Sequence, residues 1–373
     1  MSGPRRRVTH APLAAAKSAR PVLYGDLRSW ALIAADSLQL LAALPPSSVD
    51  VVITDPPYGL AFKDERWDGG ELASPQGFQG FSRAWAEQVR RVLRPGGHLV
   101  CFGATRTFHR LVAGVEDAGL QIRDMLLWLH AAGVPKSRRL PAGLGTALKP
   151  AYEPILLARA PLAPGHAVLA NVERFGIGAL NIDATRPPRV ASLAGGTVIE
   201  GYWPSHLLLG HSADCPGDGG DCVADCAVSL IDRLAPAGAL GGLSRLFYAA
   251  KASRSEREAG CEGLALSTAP IFSGGSGLAR PRANLHPTVK PLNLMRWLVR
   301  LSAPPGSVVL DPFAGSGSTG CAAVLEGRQF IGIERETRYL PIACARLAHW
   351  SGVAKAAAVD SGERGGHVSR GAK

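Results

Sequence analysis

The chain has 373 residues, 46% hydrophobic and 19% charged, enough to bury a sizeable core as one large domain or one domain with an insertion. No apolar run approaches bilayer-spanning length, which excludes a helical membrane protein. The formal charge of +11 points to an anionic partner, but residues 1–28 hold six Lys and Arg against one acid and residues 353–373 four against two, leaving +4 for residues 29–352.

Residues 1–28 are Arg-rich and acid-poor, somewhat like a transit peptide, and are read as a flexible basic arm. The folded part is expected from about Ser29. Leu38, Leu40, Leu41 and Leu44 predict a short helix after Asp36. Val49, Val51, Val52 and Ile53 then read as a buried parallel strand. Thr54-Asp55-Pro56-Pro57-Tyr58-Gly59 ends it, because two prolines fix φ and remove two backbone donors. Residues 60–80 are polar and Gly-rich, a long loop placed where it could fold over a substrate. Phe81, Trp85, Val89 and Val92 lie at helical spacing and face the core, with Pro95-Gly96-Gly97 as the stop. A strand over His98–Gly103, a helix over Phe108–Ala118 and a strand over Gln121–His130 follow.

After Gly133 the composition turns basic and rich in Gly and Pro. Lys136, Arg138, Arg139 and Lys149 are candidate phosphate contacts, since cations on loops position nucleic acid without reading sequence; an ordinary solvated loop is the rival reading. Tyr152 to Leu157 reads as another strand. Residues 160–285 show weak periodicity and many turn residues, and single out no base-reading side chain. Leu294, Trp297, Leu298 and Leu301 predict a helix face, Pro304-Pro305-Gly306 a turn, and Ser307 to Leu310 a buried strand. Asp311-Pro312-Phe313-Ala314-Gly315-Ser316-Gly317-Ser318 follows, with a helix opening at Ser318. Phe330 to Ile333 is a third buried strand ending at Glu334. A further helix is expected near Arg338 and a disordered tail from about Val353.

Two of these stretches carry chemistry. In open α/β sheets ligands bind at the carboxyl edge of the strands, where both lie. The first presents one carboxylate, free carbonyls and one aromatic ring. An exocyclic amine on a base is a poor nucleophile because its lone pair is delocalised. If Asp55 and the Pro56 carbonyl accept its two N–H bonds, the nitrogen moves towards tetrahedral geometry, and charge developing on it is stabilised. Tyr58 can stack on the base, and Pro57 stiffens the turn. Read alone, the tetrapeptide could equally be a surface turn.

The second stretch has three functional readings beside that of a structural Gly-rich turn. A P-loop is excluded, because Cys321 stands where Lys is required. A nicotinamide dinucleotide site fits Gly315, Gly317 and Gly320, a weak match by itself. S-adenosylmethionine binding fits the glycines and puts Glu334 on the ribose hydroxyls; it alone also accounts for the Asp55–Tyr58 loop.

Asp55-Pro56-Pro57-Tyr58 early, Phe313-Ala314-Gly315-Ser316-Gly317 late, and Asn284 to Leu301 just before the last strand resemble the amino-group DNA methyltransferases of the permuted, beta-type order, including prophage-encoded ones. The opening Ala35 to Gly59 resembles the same family, and the likeness covers roughly residues 30–350. It implies a Rossmann-like α/β methyltransferase sheet, with catalytic half 29–159, target-recognition insert 160–285, cofactor half 286–352 and tail 353–373. It implies S-adenosylmethionine held by Asp311, Pro312, Phe313, Ala314, Gly315, Ser316, Gly317, Ser318 and Glu334, with His286 and Lys290 near its carboxylate. It implies double-stranded DNA as partner and methylation of a flipped base, adenine N6 before cytosine N4, because the family's D-P-P-Y form is more often linked to adenine. A catalytically inactive DNA-binding relative, RNA or protein methylation, a homodimer and a companion endonuclease stay open. Seven cysteines without a secretory signal suggest a reducing, cytoplasmic compartment.

One cluster stands apart. His211, Cys215, Cys222 and Cys226 are four metal-ligand types within sixteen positions, a candidate for structural zinc. The spacings are not C-x2-C, and Asp214, Asp218, Asp221 and Asp225 favour a solvated loop instead, so no metal is firmly assigned.

Overall fold

The computed structural model describes residues 22–365 except 27, 61–67, 131–139, 188–189, 194–195, 200, 212–214, 216–221, 224–225, 227, 230–232, 234–247, 251–253 and 269–280. The elements in chain order are β1 (Val22–Gly25), β2 (Trp30–Ala34), α1 (Ser37–Ala43), β3 (Val49–Thr54), α2 (Pro75–Val92), β4 (Leu93–Phe102), α3 (Phe108–Asp117), β5 (Gln121–Leu129) and β6 (Tyr152–Arg159). Then come α4 (Val168–Phe175), β7 (Val190–Leu193), β8 (Gly196–Ile199), β9 (Leu207–Gly210), β10 (Tyr248–Ala250), α5 (Arg254–Glu258), α6 (Leu292–Ser302), β11 (Val308–Asp311), α7 (Ser318–Leu325), β12 (Gln329–Glu334) and α8 (Leu340–Gly365). Among the described residues no helix is long and apolar enough to cross a membrane.

Ten strands form one sheet in the order β1-β2-β12-β11-β3-β4-β6-β5-β9-β10. The run β2-β12-β11-β3-β4 is parallel throughout. One face packs against α6, α7 and α8 around Trp297, Leu298, Ala322 and Leu347. The other packs against α1, α2 and α3 around Leu41, Trp85, Val89 and Leu111. The three layers follow from strands buried on both faces, as β3 is at all six positions.

The crossover β3-α2-β4 leads away from the centre in one direction and β11-α7-β12 in the other. The strand order therefore reverses between the paired neighbours β3 and β11, with Val52 opposite Leu310. Such a switch point opens a crevice at the carboxyl ends of the strands. The Asp55 loop leaves β3 there, and the Gly315 loop leaves β11.

The expected helix after Asp36 is present, and Asp36 caps it, its side chain accepting from the amides of Leu38 and Gln39. Other boundaries differ from expectation. Helix α2 begins earlier than Phe81, at Pro75, because Ser74 is an N-cap accepting from the Gly77 amide. It ends at Val92, not at Pro95-Gly96-Gly97, which lies inside β4. Asn171 reaches across and donates to the Pro95 carbonyl at 3.0 Å, tying that stretch to the sheet. Residues 22–25, at the end of the expected basic arm, form an antiparallel edge strand on β2. Helix α8 runs on to Gly365, across the first part of the expected disordered tail; Ala354, Ala356, Ala357 and Ala358 are strong helix formers. There Lys355 pairs with Asp26 at 3.1 Å. Within 160–285, β9 and β10 join the main sheet beside β5.

Candidate active site

Strand β3 ends where the two prolines remove the ladder donors, leaving Asp55 half-buried and Pro56 buried at the carboxyl edge. Thr54, the last residue of the strand, donates its hydroxyl to Asp311 Oδ1 at 2.7 Å. Asp311 also accepts from the Thr319 hydroxyl at 2.7 Å and the Phe313 amide at 3.0 Å. One buried carboxylate thus joins the end of β3, the end of β11 and the first turn of α7. Burial raises it to about 6, against the pull of these donors.

The glycine loop is compact. Gly315 (φ +51°) and Gly317 (φ +76°) take the left-handed conformation that side chains resist. A Cβ on Gly315 would lie 2.5 Å from His286 Nε2, so the loop and the His286 ring meet with no room for a side chain between them. Glu334, at the end of β12, accepts from the Gly315 amide and the Glu336 amide, both at 2.7 Å. Burial lifts its carboxyl to about 7. Arg346, fully buried on α8, donates to the Ser316 carbonyl at 2.7 Å and to the hydroxyls of Ser316 and Ser318 at 3.1 Å. Ser37 donates to the Pro312 carbonyl at 2.5 Å. Phe313 packs 5.9 Å from Phe81 and 6.0 Å from Trp85, ring centre to ring centre, so those two aromatics serve packing, as their spacing suggests. Ala314 is buried below the loop.

The segment from His286 to Lys290 spans the two loops. His286 lies at the glycine turn, its imidazole depressed to about 3 by burial and by Arg346. Lys290 lies not beside it but on the other loop, its Nζ 2.9 Å from both Asp55 Oδ2 and Glu153 Oε2. The reason is reach: four residues of extended chain cover roughly 13 Å. Burial disfavours the Lys290 ammonium, but Asp55 and Glu153 outweigh it and hold it above the ordinary lysine range. Burial raises Asp55 despite the attraction of Lys290.

Tyr58 completes the cluster in an orientation the sequence does not suggest. Its hydroxyl donates to Asp55 Oδ1 at 2.5 Å and lies 3.3 Å from Glu153 Oε2, and Lys290 Nζ lies 5.7 Å from its ring centre and 4.8 Å from that of Phe102. His130 Nε2 lies 3.6 Å from the second oxygen of Glu153. Sequence reasoning missed Glu153, His130 and Thr54. The only local signal was an acid at the second position of the mostly apolar strand β6. Arg106, His109 and Arg110 line a cavity with Gly59, Leu60 and Phe78 beside the same loop; they too were missed. Of the phosphate-contact candidates, Lys136, Arg138 and Arg139 lie outside the described residues. Lys149 is exposed and close enough to His130 to help depress its imidazole, after burial and Lys290. His211, Cys215, Cys222 and Cys226 converge elsewhere, beyond β9.

Type II methyltransferase M.HindIII of Haemophilus influenzae is 23% identical over 360 residues, covering 84% of this chain and 93% of that protein. DNA adenine methyltransferase YhdJ of Escherichia coli is 46% identical over 69 residues, 18% of this chain and 24% of that protein. The cytosine-N4-specific PvuII DNA methyltransferase shares the fold, with a TM-score of 0.52 and 16% identity over 88% of this chain and 92% of that one. The profile of the DNA methylase family of N6 and N4 enzymes matches residues 49–345; that span holds both loops and the segment bridging them, and the chain belongs to this family.

Proposed function

We propose that the protein transfers a methyl group from S-adenosylmethionine to the N6 amino group of an adenine flipped out of double-stranded DNA. The observation that carries this reading is the meeting of the two loops: Thr54 and Asp311 join them at 2.7 Å across the switch point of the sheet.

The glycine loop suits the cofactor. Gly315 and Gly317 hold a left-handed turn that lets the backbone approach a ligand closely. The Glu334 carboxylate, at the end of the next strand, has lone pairs left for two ribose hydroxyls after accepting the two amides. His286 and Ser316 border the same turn. When bound, S-adenosylmethionine supplies an electrophilic methyl on a sulfonium. Asp55 and the Pro56 carbonyl accept the two N–H bonds of the base's amine and free its lone pair. The freed nitrogen would take this methyl as its bond to sulfur breaks, and the Asp55 carboxylate is placed to receive the amine proton that is lost. Most of the acceleration comes from positioning and from acceptors already aimed at the nitrogen.

In this structure Lys290 and Tyr58 donate to the Asp55 carboxylate that the amine would use. Glu153 provides a second anion on which Lys290 can rest when the amine enters, and the Tyr58 ring is then released to stack on the base. Base flipping is the general solution for enzymes that modify bases inside a duplex. Arg106 and Arg110 line the cavity beside the loop, and with the exposed Lys149 they supply cations for the phosphate backbone. A cytoplasmic setting suits seven cysteines that form no disulfide.

The test is tritiated-methyl transfer to duplex DNA followed by nucleoside analysis. Label in N6-methyladenine supports the reading, and label in N4-methylcytosine replaces adenine with cytosine. Asp55→Ala abolishes transfer while calorimetry still detects S-adenosylmethionine binding; turnover retained in that variant rejects the role of the loop.

A further inference from the structure

Strand β9 ends at Gly210, and the chain then turns through His211, Cys215, Cys222 and Cys226. The side-chain donor atoms of these four residues all lie within 4.8 Å of one another. His211 Nδ1 is 3.3 Å from Cys222 Sγ and 3.8 Å from Cys226 Sγ. We propose that the four hold one zinc ion in a closed, tetrahedral site of one imidazole and three thiolates, and that its role is structural.

The dimensions fit. A zinc–sulfur bond of about 2.3 Å in a tetrahedron places neighbouring donors roughly 3.8 Å apart. Three thiols and one imidazole are the soft donor set that selects zinc over magnesium or calcium. None of the three cysteines is joined in a disulfide. Four protein ligands leave no open position, which separates a structural ion from a catalytic one.

The segment also needs a staple. Between His211 and Cys226 the sequence offers, besides the ligands, Ser212, Pro216, three glycines, four aspartates, two alanines and Val223. That is too little apolar surface to fold a knuckle unaided. What packing there is sits against the ligands: Cys215 and Cys226 are buried with Leu209 and Val228, beside Leu129, Leu207 and Val223. The site is fastened to the catalytic corner. Leu209 pairs with Leu129 on β5, and a Cβ on Gly210 would lie 3.3 Å from the Cβ of His130, whose ring faces Glu153.

Elemental analysis of the full-length chain, purified without a polyhistidine tag, is expected to find one zinc per chain. Cys222→Ser and Cys226→Ser should lose it, while Cys261→Ser and Cys344→Ser keep it. Because the cluster variants could fail to fold, the wild-type chain is also exchanged with cobalt(II) under reducing conditions. The expected spectrum has the charge-transfer and d–d bands of a tetrahedral cobalt thiolate. Zinc far below one per chain both as purified and after reduced reconstitution overturns the proposal. So does bound cobalt without sulfur charge transfer, or zinc retained by both cluster variants.

Discussion

Thr54 and Asp311 are 257 positions apart in the chain and 2.7 Å apart in the fold. The bond links the last residue of β3 to the last residue of β11, so it sets the spacing between the loop proposed to grip the amine and the loop proposed to hold the cofactor. Thr54→Val keeps the shape and removes the donor. It should cost about 2 kcal/mol of stability, the usual range for a hydrogen bond to a buried charged group. Urea denaturation reads this as a lower midpoint with unchanged slope. Thr54→Ser, which keeps the hydroxyl, should stay near wild type.

Lys290 is the one cation bonded to both Asp55 and Glu153 among the described residues. Lys290→Met leaves two largely buried carboxylates facing each other and should cost about 3 kcal/mol. Glu153→Gln, which keeps Lys290 paired with Asp55, should cost no more than about 1 kcal/mol. The same lysine pulls Asp55 down against its burial. In Lys290→Met the acidic limb of the methyl-transfer pH profile should therefore move to higher pH; an unmoved limb would separate the lysine from Asp55.

Gly315→Ala meets two obstacles that can be told apart. The left-handed φ costs about 1–2 kcal/mol for a residue with a Cβ, and the Cβ collides with His286 Nε2. The single variant should bind S-adenosylmethionine at least tenfold more weakly, read by calorimetry. Adding His286→Ala removes the collision but not the strain, so the double variant should recover stability in part and not in full.

Glu334 gives the site a pH dependence. Its carboxyl sits at about 7 in the fold against 4.5 for the ordinary side chain, because of burial. The folded state binds the extra proton between those values, so this group's stabilising contribution is complete below about pH 4.5 and is lost as pH rises through about 7. Binding of ribose hydroxyls needs the ionised form, so cofactor affinity should climb from about pH 6 to about pH 8. Glu334→Gln should flatten both trends, measured by calorimetry and by denaturation across that pH range. A wild-type affinity independent of pH would contradict the ribose role.

Much of this is legible in the sequence alone. The unbroken apolar runs at Val51–Ile53 and Val308–Leu310 announce strands buried on both faces, because only strands covered by helices above and below tolerate such runs. Asp36, Pro56, Pro57 and Gly315 report local backbone needs, capping, a stop and a left-handed turn, and local needs are written in adjacent residues. The helix faces at Trp85–Val89 and Trp297–Leu298 follow from a 3.6-residue period alone.

What only the tertiary structure decided are the partners. Nothing near position 153 in the sequence announces that Glu153 meets Lys290, nor that Lys290 abandons His286 for Asp55, because those contacts depend on which strands lie side by side. The strand order β11-β3-β4-β6 brings the ends of four separated segments to one edge. Tyr58 turning onto Asp55, and four ligand residues spread over sixteen positions closing to within 4.8 Å, have the same origin. Propensity is a property of neighbours in the chain, whereas charge pairing and metal geometry are properties of neighbours in space.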